Sequence, residues 1–427
     1  MLRQMTLPVF FDARMVGSRQ CSPSATKPGF VVCDWLRQGL PIELRPVVPA
    51  TPEQIMLAHK PKFVRGVLSC EKHNGFGSRD ARVAASLPFT TGSMMSAARH
   101  VLEHGGVAAS PTSGFHHAHW DHGGGFCTFN GLLVTALAMR AEGRAQKIAI
   151  IDCDQHFGDG TEGIIRALKL RGIQHFTAGG SFHRAHQVKE FFRVLRQVCE
   201  RANECDLVLF QAGADPHIKD PLGGWLTTAQ LRERDEIVFS TVTKPLVWNL
   251  AGGYQEEPDG SIPKVLEVHA NTVRAWVAAR DGVLSPSTVP SDEEIAAMVA
   301  AEQEAEQAMR ERGQVFDWGQ VLRAMQRDEG DEQIEAWPAE ERPDDIWRDD
   351  RLDESQFDPD SDWCDHSQKH WYADRESGTL HCSGCHEDVT ELAKEFEPVR
   401  AARAARVARA KSARRARKGA SDANRNR

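Results

Sequence analysis

Four histidines fall within seven residues, at His116, His117, His119 and His122, just ahead of Gly123-Gly124-Gly125-Phe126-Cys127. Adjacent imidazoles can divide general-base and general-acid duties when different carboxylates tune the two rings. Lone histidines are usually structural, but four beside a glycine run read as a shaped pocket wall. Further along, residues 152–159 (DCDQHFGD) gather Asp152, Asp154, His156 and Asp159. Three carboxylates so close together are costly unless a metal or a hydrogen-bond network compensates. In an extended segment Asp154 and His156, two apart, project to one face and suit one divalent ion. The plainer reading is a surface turn, because Gly158-Asp159-Gly160 is turn-like by itself.

Two more candidates end later apolar runs. Asp215, in residues 211–217 (QAGADPH), offers a third ligand, against the commoner role of a helix cap or turn residue. Tyr254, one of only two tyrosines, follows Ala251-Gly252-Gly253. Those glycines let backbone approach closely and set the phenol at a cleft edge, where it could donate to a developing oxyanion. The alternative is a ring on the sheet rim with its hydroxyl in water.

The elements that must position these residues are legible in outline. Residues 147–152 (KIAIID), 206–210 (DLVLF) and 246–250 (LVWNL) are apolar on both faces, and helical patterns follow at 161–170 and 228–240. Strands buried from both sides imply a parallel sheet covered by helices. Ligands bind beyond the carboxyl ends of such strands, which is where the polar residues stand.

In order, HHA…GGGFC, DCDQHFGDGT, AGADPH…DPLGG and AGGY resemble the zinc-dependent histone deacetylase superfamily, with its acetylpolyamine amidohydrolase and acetoin-utilisation members. The resemblance spans about residues 7–280. It implies a three-layer α/β/α arginase-deacetylase-like fold around a parallel sheet. It also implies catalytic zinc on Asp154, His156 and Asp215, with iron(II) as an alternative metal and K⁺ as a structural ion. His116 and His117 match the paired catalytic histidines, with Asp152 and Asp159 as their carboxylate partners. Tyr254 matches the carbonyl-polarising tyrosine, and Gly125 and Phe126 match residues lining the acyl channel. The implied reaction is deacetylation by water attack, on acetyl-lysine in a protein or, alternatively, on an acetylpolyamine or other small acylamide.

Two departures touch the substrate channel. Residues 178–183 (AGGSFH) lack the longer aromatic and Gly-Pro segment of eukaryotic members. Phe157 replaces a second histidine after His156, a change expected to be absorbed as packing. The binuclear manganese ureohydrolases share this fold, but they would need a further Asp-x-Asp-x-x-Asp run that the segment around Asp215 does not supply.

Of 427 residues, 41% are hydrophobic and 26% charged, and nowhere do about 18 uncharged apolar residues run together, so no membrane span is expected. Residues 1–8 carry no basic stretch leading into a long apolar core, and the ten cysteines are irregularly spaced. The expectation is a reducing, cytoplasmic setting.

The net charge of −8 conceals three regimes. Residues 291–362 hold 24 Asp/Glu against 7 Arg and no Lys, whereas residues 399–427 hold 11 Lys/Arg against Asp422 alone. The expected organisation is a catalytic domain at 1–285 and an acidic, partly helical linker at 286–362, with 292–312 helical and a Glu306–Arg310 pair on it. A Cys/His module at 363–398 and a basic Ala/Arg-rich tail at 399–427 follow. Cys364, His366, Cys382 and Cys385 could hold a second, structural zinc, the alternative being incidental thiols. Arg400, Arg403, Arg406, Arg409, Arg414 and Arg415 could contact nucleic-acid phosphates, or the tail could fold back on the acidic segment. A tethering module acting through this C-terminal third is the function from a different class.

Overall fold

The apolar runs at 147–152, 206–210 and 246–250 form neighbouring strands in the middle of one sheet. The structure is a computed structural model that describes residues 6–17, 23–311, 371–373 and 380–382. The chain divides into two compact units, and described residues 6–311 belong to the first.

That unit begins with β1 (Leu7–Phe10), α1 (Lys27–Arg37), β2 (Ile42–Arg45), α2 (Pro52–Ile55), α3 (Pro61–Leu68), α4 (Ala81–His104) and β3 (Val107–Ser113). It continues through α5 (Gly131–Ala141), β4 (Ile148–Asp152), α6 (Asp159–Ala167), β5 (Ile173–Thr177), α7 (Val188–Ala202) and β6 (Leu207–Gln211). The last elements are α8 (Thr228–Thr241), β7 (Leu246–Ala251), α9 (Pro263–Asp281) and α10 (Asp292–Glu311). Seven parallel strands lie in the order β2-β1-β3-β7-β6-β4-β5.

Every residue of β4, β6 and β7 is buried, because helices cover both faces. On one face Trp248, Phe210 and Ile151 pack with residues of α1, α7, α8 and α9. On the other, Val247, Leu209 and Ile150 pack with α3, α4 and α5. Alternation along each strand sends successive side chains to opposite cores, which explains the unbroken apolar runs. The three-layer expectation therefore holds.

From β4 the chain crosses to β5 on one side, through α6, whose Ile164 lies in the second core. It returns through α7, in the first core, to β6 on the other side of β4. The crossovers part between β4 and β6, and a crevice opens at their carboxyl ends. Local chemistry sets the helix starts. Thr227 forms a capping box with Gln230 at α8, and the Asn130 side chain accepts from Leu133 N at the head of α5.

The second unit contributes a hairpin, β8 (Trp371–Ala373) antiparallel to β9 (Leu380–Cys382), whose last residue is one proposed zinc ligand. Cys364, His366, Cys385, the six tail arginines and the side chains of Glu306 and Arg310 lie outside the described residues. Among the described residues no helix is long and apolar enough to cross a membrane.

One buried ring anchors the histidine-rich loop to this frame. His59 is fully buried, its Nε2 accepts from Asn130 N at 2.7 Å, and its Nδ1 donates to His119 O at 2.8 Å. Both ring nitrogens are thereby committed to the neutral tautomer, and burial pushes the pKa down to about 3. An unfolded histidine protonates near 6.5, so between those values only the unfolded chain takes the proton. The contribution is intact above about pH 6.5 and shrinks as pH falls, by up to about 1.4 kcal/mol per unit. Urea denaturation at pH 7, 6 and 5 should therefore show a steeper loss of stability in the native chain than in His59→Gln. Equal slopes would refute this account.

Candidate active site

The central strands deliver their end residues to one place. Asp152 closes β4, Gln211 closes β6 and Ala251 closes β7, with Asp152 and Gln211 in direct register. Gln211 Nε2 donates to Asp152 Oδ1 at 3.0 Å, and Asp154 N donates to the same oxygen at 3.1 Å. The other oxygen, Oδ2, accepts from His116 Nδ1 at 2.7 Å. Asp159, the first residue of α6, meets His117 Nδ1 at 2.6 Å. The two imidazoles lie 4.0 Å apart between centroids, each on its own carboxylate.

Asp154, His156 and Asp215 bring one donor atom apiece within 4.8 Å of one another. His156 Nδ1 is 3.2 Å from Asp154 Oδ1 and 3.1 Å from Asp215 Oδ2. Donors about 2.0–2.2 Å from a shared ion are separated by such distances. The segment after β4 is a bend rather than the extended stretch expected from the sequence, since His156 N turns back to donate to Asp154 Oδ1 at 3.0 Å. The ligands converge through that turn. Asp215 is fully buried and belongs to this cluster, with Gln155 N donating to its Oδ1 at 3.2 Å.

Placing two carboxylates together out of water is unfavourable unless a cation lies among them. Burial, and then repulsion from Asp154, raises the Asp215 pKa to about 7. Burial also penalises ionised Asp154, but His116 and His156 outweigh it and hold that carboxyl well below its usual range. The same carboxylates pull His156 well above an ordinary histidine despite its burial. An oxygen, nitrogen, oxygen donor set with this need for positive charge fits a divalent metal such as zinc. Gly252 is required beside it: its N–H donates to Asp154 Oδ2 at 2.7 Å, and a Cβ there would overlap the carboxylates of Asp215 and Asp154.

Tyr254 ends the strap that follows β7, its ring 6.4 Å from His156 and 5.6 Å from Phe126. Burial, with Asp154 and Asp215 nearby, lifts its pKa well above the normal phenol value, so the hydroxyl keeps its proton as a donor. Gly125, at φ 49°, packs so tightly on His117 that any Cβ would overlap the ring. Ser24, Ser113, Gly114, Gly125, Phe126 and Cys127 help wall a pocket of about 250 Å³, its opening included, that reaches His116, Asp154 and Tyr254.

His119 and His122 do not line that pocket. They stack on each other at 4.4 Å, with His119 Nε2 3.5 Å from Asp159 Oδ2. In the departing segment Phe182 turns into the core and stacks with Trp225 at 6.4 Å, leaving Phe126 as the aromatic wall of the pocket beside Tyr254.

Two positioning residues escaped the sequence reading. Asp220 accepts from Tyr254 N at 2.7 Å. Lys27, only 1% exposed, donates to Ala251 O at 2.5 Å and so pins the strap from the far end of the sequence. Burial lowers its pKa to about 8 against the pull of Asp215, Asp154 and Asp220. Nothing in residues 23–30 marks a lysine destined for a core; only its partner 224 residues away does.

Residues 32–169 match the family model for the histone deacetylase domain. Over those residues the chain is similar to the histone deacetylase superfamily. It is 29% identical over 241 residues to an uncharacterised protein of Picosynechococcus sp., covering 48% of this chain and 77% of that one. Histone deacetylase 15 of Arabidopsis thaliana is 30% identical over 157 residues, 34% of this chain and 27% of the plant protein. An acetoin utilization protein of Staphylococcus aureus is 25% identical over 222 residues, 40% and 55% of the two chains. The chain thus spans about a quarter to about half of the plant and staphylococcal relatives. In fold it resembles the HD domain of HDA15, with a TM-score of 0.54 at 19% identity, over 74% of this chain and 96% of that domain.

The Asp154–His156–Asp215 cluster depends on the space left at Gly252. Gly252→Ala should lower zinc affinity at least about tenfold, the scale of other losses around metal ligands. Chelator competition measures it, with circular dichroism confirming an unchanged fold. Native affinity in the variant would refute the assignment.

Proposed function

We propose that this site hydrolyses the amide of an acylated amine, with acetyl-lysine in a protein as the substrate. The observation that carries the reading is the convergence of one O,N,O donor set, two histidine–carboxylate pairs and a phenol, of which Asp154, His116 and Tyr254 line the pocket. Zinc held by Asp154, His156 and Asp215, or iron(II) in its place, would supply Lewis acidity and a water of lowered pKa.

The chain's own groups then divide the work. Asp159 holds His117 through Nδ1, which commits proton transfer to Nε2; His117 takes the proton of the attacking water and passes it to the leaving amine. Burial works against a charged His116, but Asp152 and Asp154 outweigh it and raise the ring to about 9. A ring cationic at neutral pH offers charge rather than basicity, so His116 is the electrostatic partner. Tyr254 donates to the oxyanion that forms as water adds to the carbonyl carbon. The C–N bond breaks, and a carboxylate and a protonated amine leave.

The wall chemistry favours a lysine stem over a polyamine. Among the described residues lining the pocket, Asp154 is the one carboxylate, and Gly125 and Phe126 offer an uncharged path to an aliphatic chain. Catalysis is assigned to residues 1–285, with the linker, Cys/His stretch and basic tail as appendages.

Acetate release by the zinc-loaded protein should be at least about tenfold faster from an acetyl-lysine peptide than from N-acetylspermidine. Tyr254→Phe and His117→Ala should each lower kcat by about 10²–10³. Faster release from the polyamine would overturn the substrate choice. Full activity in both variants would overturn the roles assigned to these residues.

A further inference from the structure

Arg234 is fully buried on α8, between two further buried charged residues, Glu233 and Asp235. A guanidinium keeps its charge at any working pH, so burying one is costly unless each part of its fork has a task. Here Nε donates to Asp235 Oδ1 at 2.8 Å, and Thr272 Oγ1 on α9 donates to the other oxygen of that carboxylate at 2.7 Å. Nη1 donates to two backbone carbonyls, Gly213 O at 2.6 Å and Cys153 O at 3.3 Å. The guanidinium also lies over the Phe210 ring, 5.8 Å from its centroid. Cys153 immediately precedes Asp154, and Gly213 stands two residues before Asp215. Both lie just past the ends of β4 and β6, where the regular strands stop.

We infer that Arg234 is the positioning residue that sets the separation of Asp154 and Asp215, and with it the fit of their site to a divalent metal. The inference rests on the metal assignment above. One nitrogen shared by the two carbonyls holds the two ligand-bearing segments at one spacing, and Asp235 with Thr272 fixes that nitrogen in turn. α8 cannot follow a drift of those segments, because the chain beyond α9 straps it from outside. Ser285 Oγ donates to Glu236 Oε1 at 2.7 Å, and Ser287 Oγ donates to Glu233 Oε1 at 2.9 Å.

Metal affinity is sensitive to donor placement on a scale of about 0.2 Å, and groups one step behind the ligands commonly count for about 10–100-fold. Lysine is no substitute at this position. Its ammonium is a point charge on a flexible stem and cannot face Asp235 and the two carbonyls as a rigid planar fork does. A side chain that merely pinned α8 to the sheet would act on stability and leave the folded site unchanged. That difference makes the two roles separable.

The test loads the full chain with zinc, or with Co²⁺, whose visible absorption reports ligand geometry. Chelator competition is run at a temperature where circular dichroism shows each variant fully folded, since lost stability alone leaves the affinity of the folded chain unchanged. Arg234→Lys should weaken zinc at least about tenfold and alter the Co²⁺ spectrum. Thr272→Val, which removes only the support of Asp235 and is milder on folding, should move both readouts in the same direction by less. Native affinity and spectrum in a folded Arg234→Lys chain overturn the inference. Where Arg234→Lys does not fold, native values in Thr272→Val overturn it instead. Asp215→Asn separates this inference from the metal assignment. If that variant loses zinc while Arg234→Lys keeps native affinity, the positioning role alone falls; native zinc binding in Asp215→Asn brings down the metal site and the inference together.

Discussion

Two buried carboxylates facing one imidazole set the terms for the rest of this protein. Asp154 and Asp215 are each at most 2% exposed and share His156 Nδ1 between them. Such a cluster is stable only where backbone donors, a nearby cation and a bound metal together offset the loss of water. The fold supplies the protein's share from several directions: Gly252 N to Asp154, Gln155 N to Asp215, and Arg234 Nη1 to the carbonyl of Gly213 at 2.6 Å. Each support comes from a different segment, so the cluster forms only when the sheet is complete.

The same field differentiates the two adjacent histidines. His116 lies 2% exposed, between Asp152 and Asp154, whose charges push its pKa up to about 9 against its burial. His117 sits farther out, paired with Asp159 at the head of a helix. Adjacent in sequence and identical in chemistry, they differ because one lies against Asp152 and Asp154 and the other against Asp159. Asp159 also lies 3.5 Å from His119 Nε2, which joins that outer histidine to the carboxylate of His117.

Glycine does as much for the site as charge does. At Gly252 and Gly125 a side chain would occupy space already filled by the metal ligands or by His117, and at Gly179 it would overlap the backbone of His156. All three protect close packing.

Much of this was readable before any coordinates. The doubly apolar runs imposed a parallel sheet covered on both faces, because β-branched residues without alternation cannot face water on either side. The spacing within 116–117, 152–159, 211–217 and 251–254 carried the family resemblance, since metal and acid–base chemistry tolerates few residue types at those positions. What depended on distant partners was not readable. The burial of Lys27 against Ala251 and the grip of Asp220 on Tyr254 each join segments far apart in the chain. A sequence records residue types and local period; convergence, desolvation and empty volume exist only once strands and helices have packed.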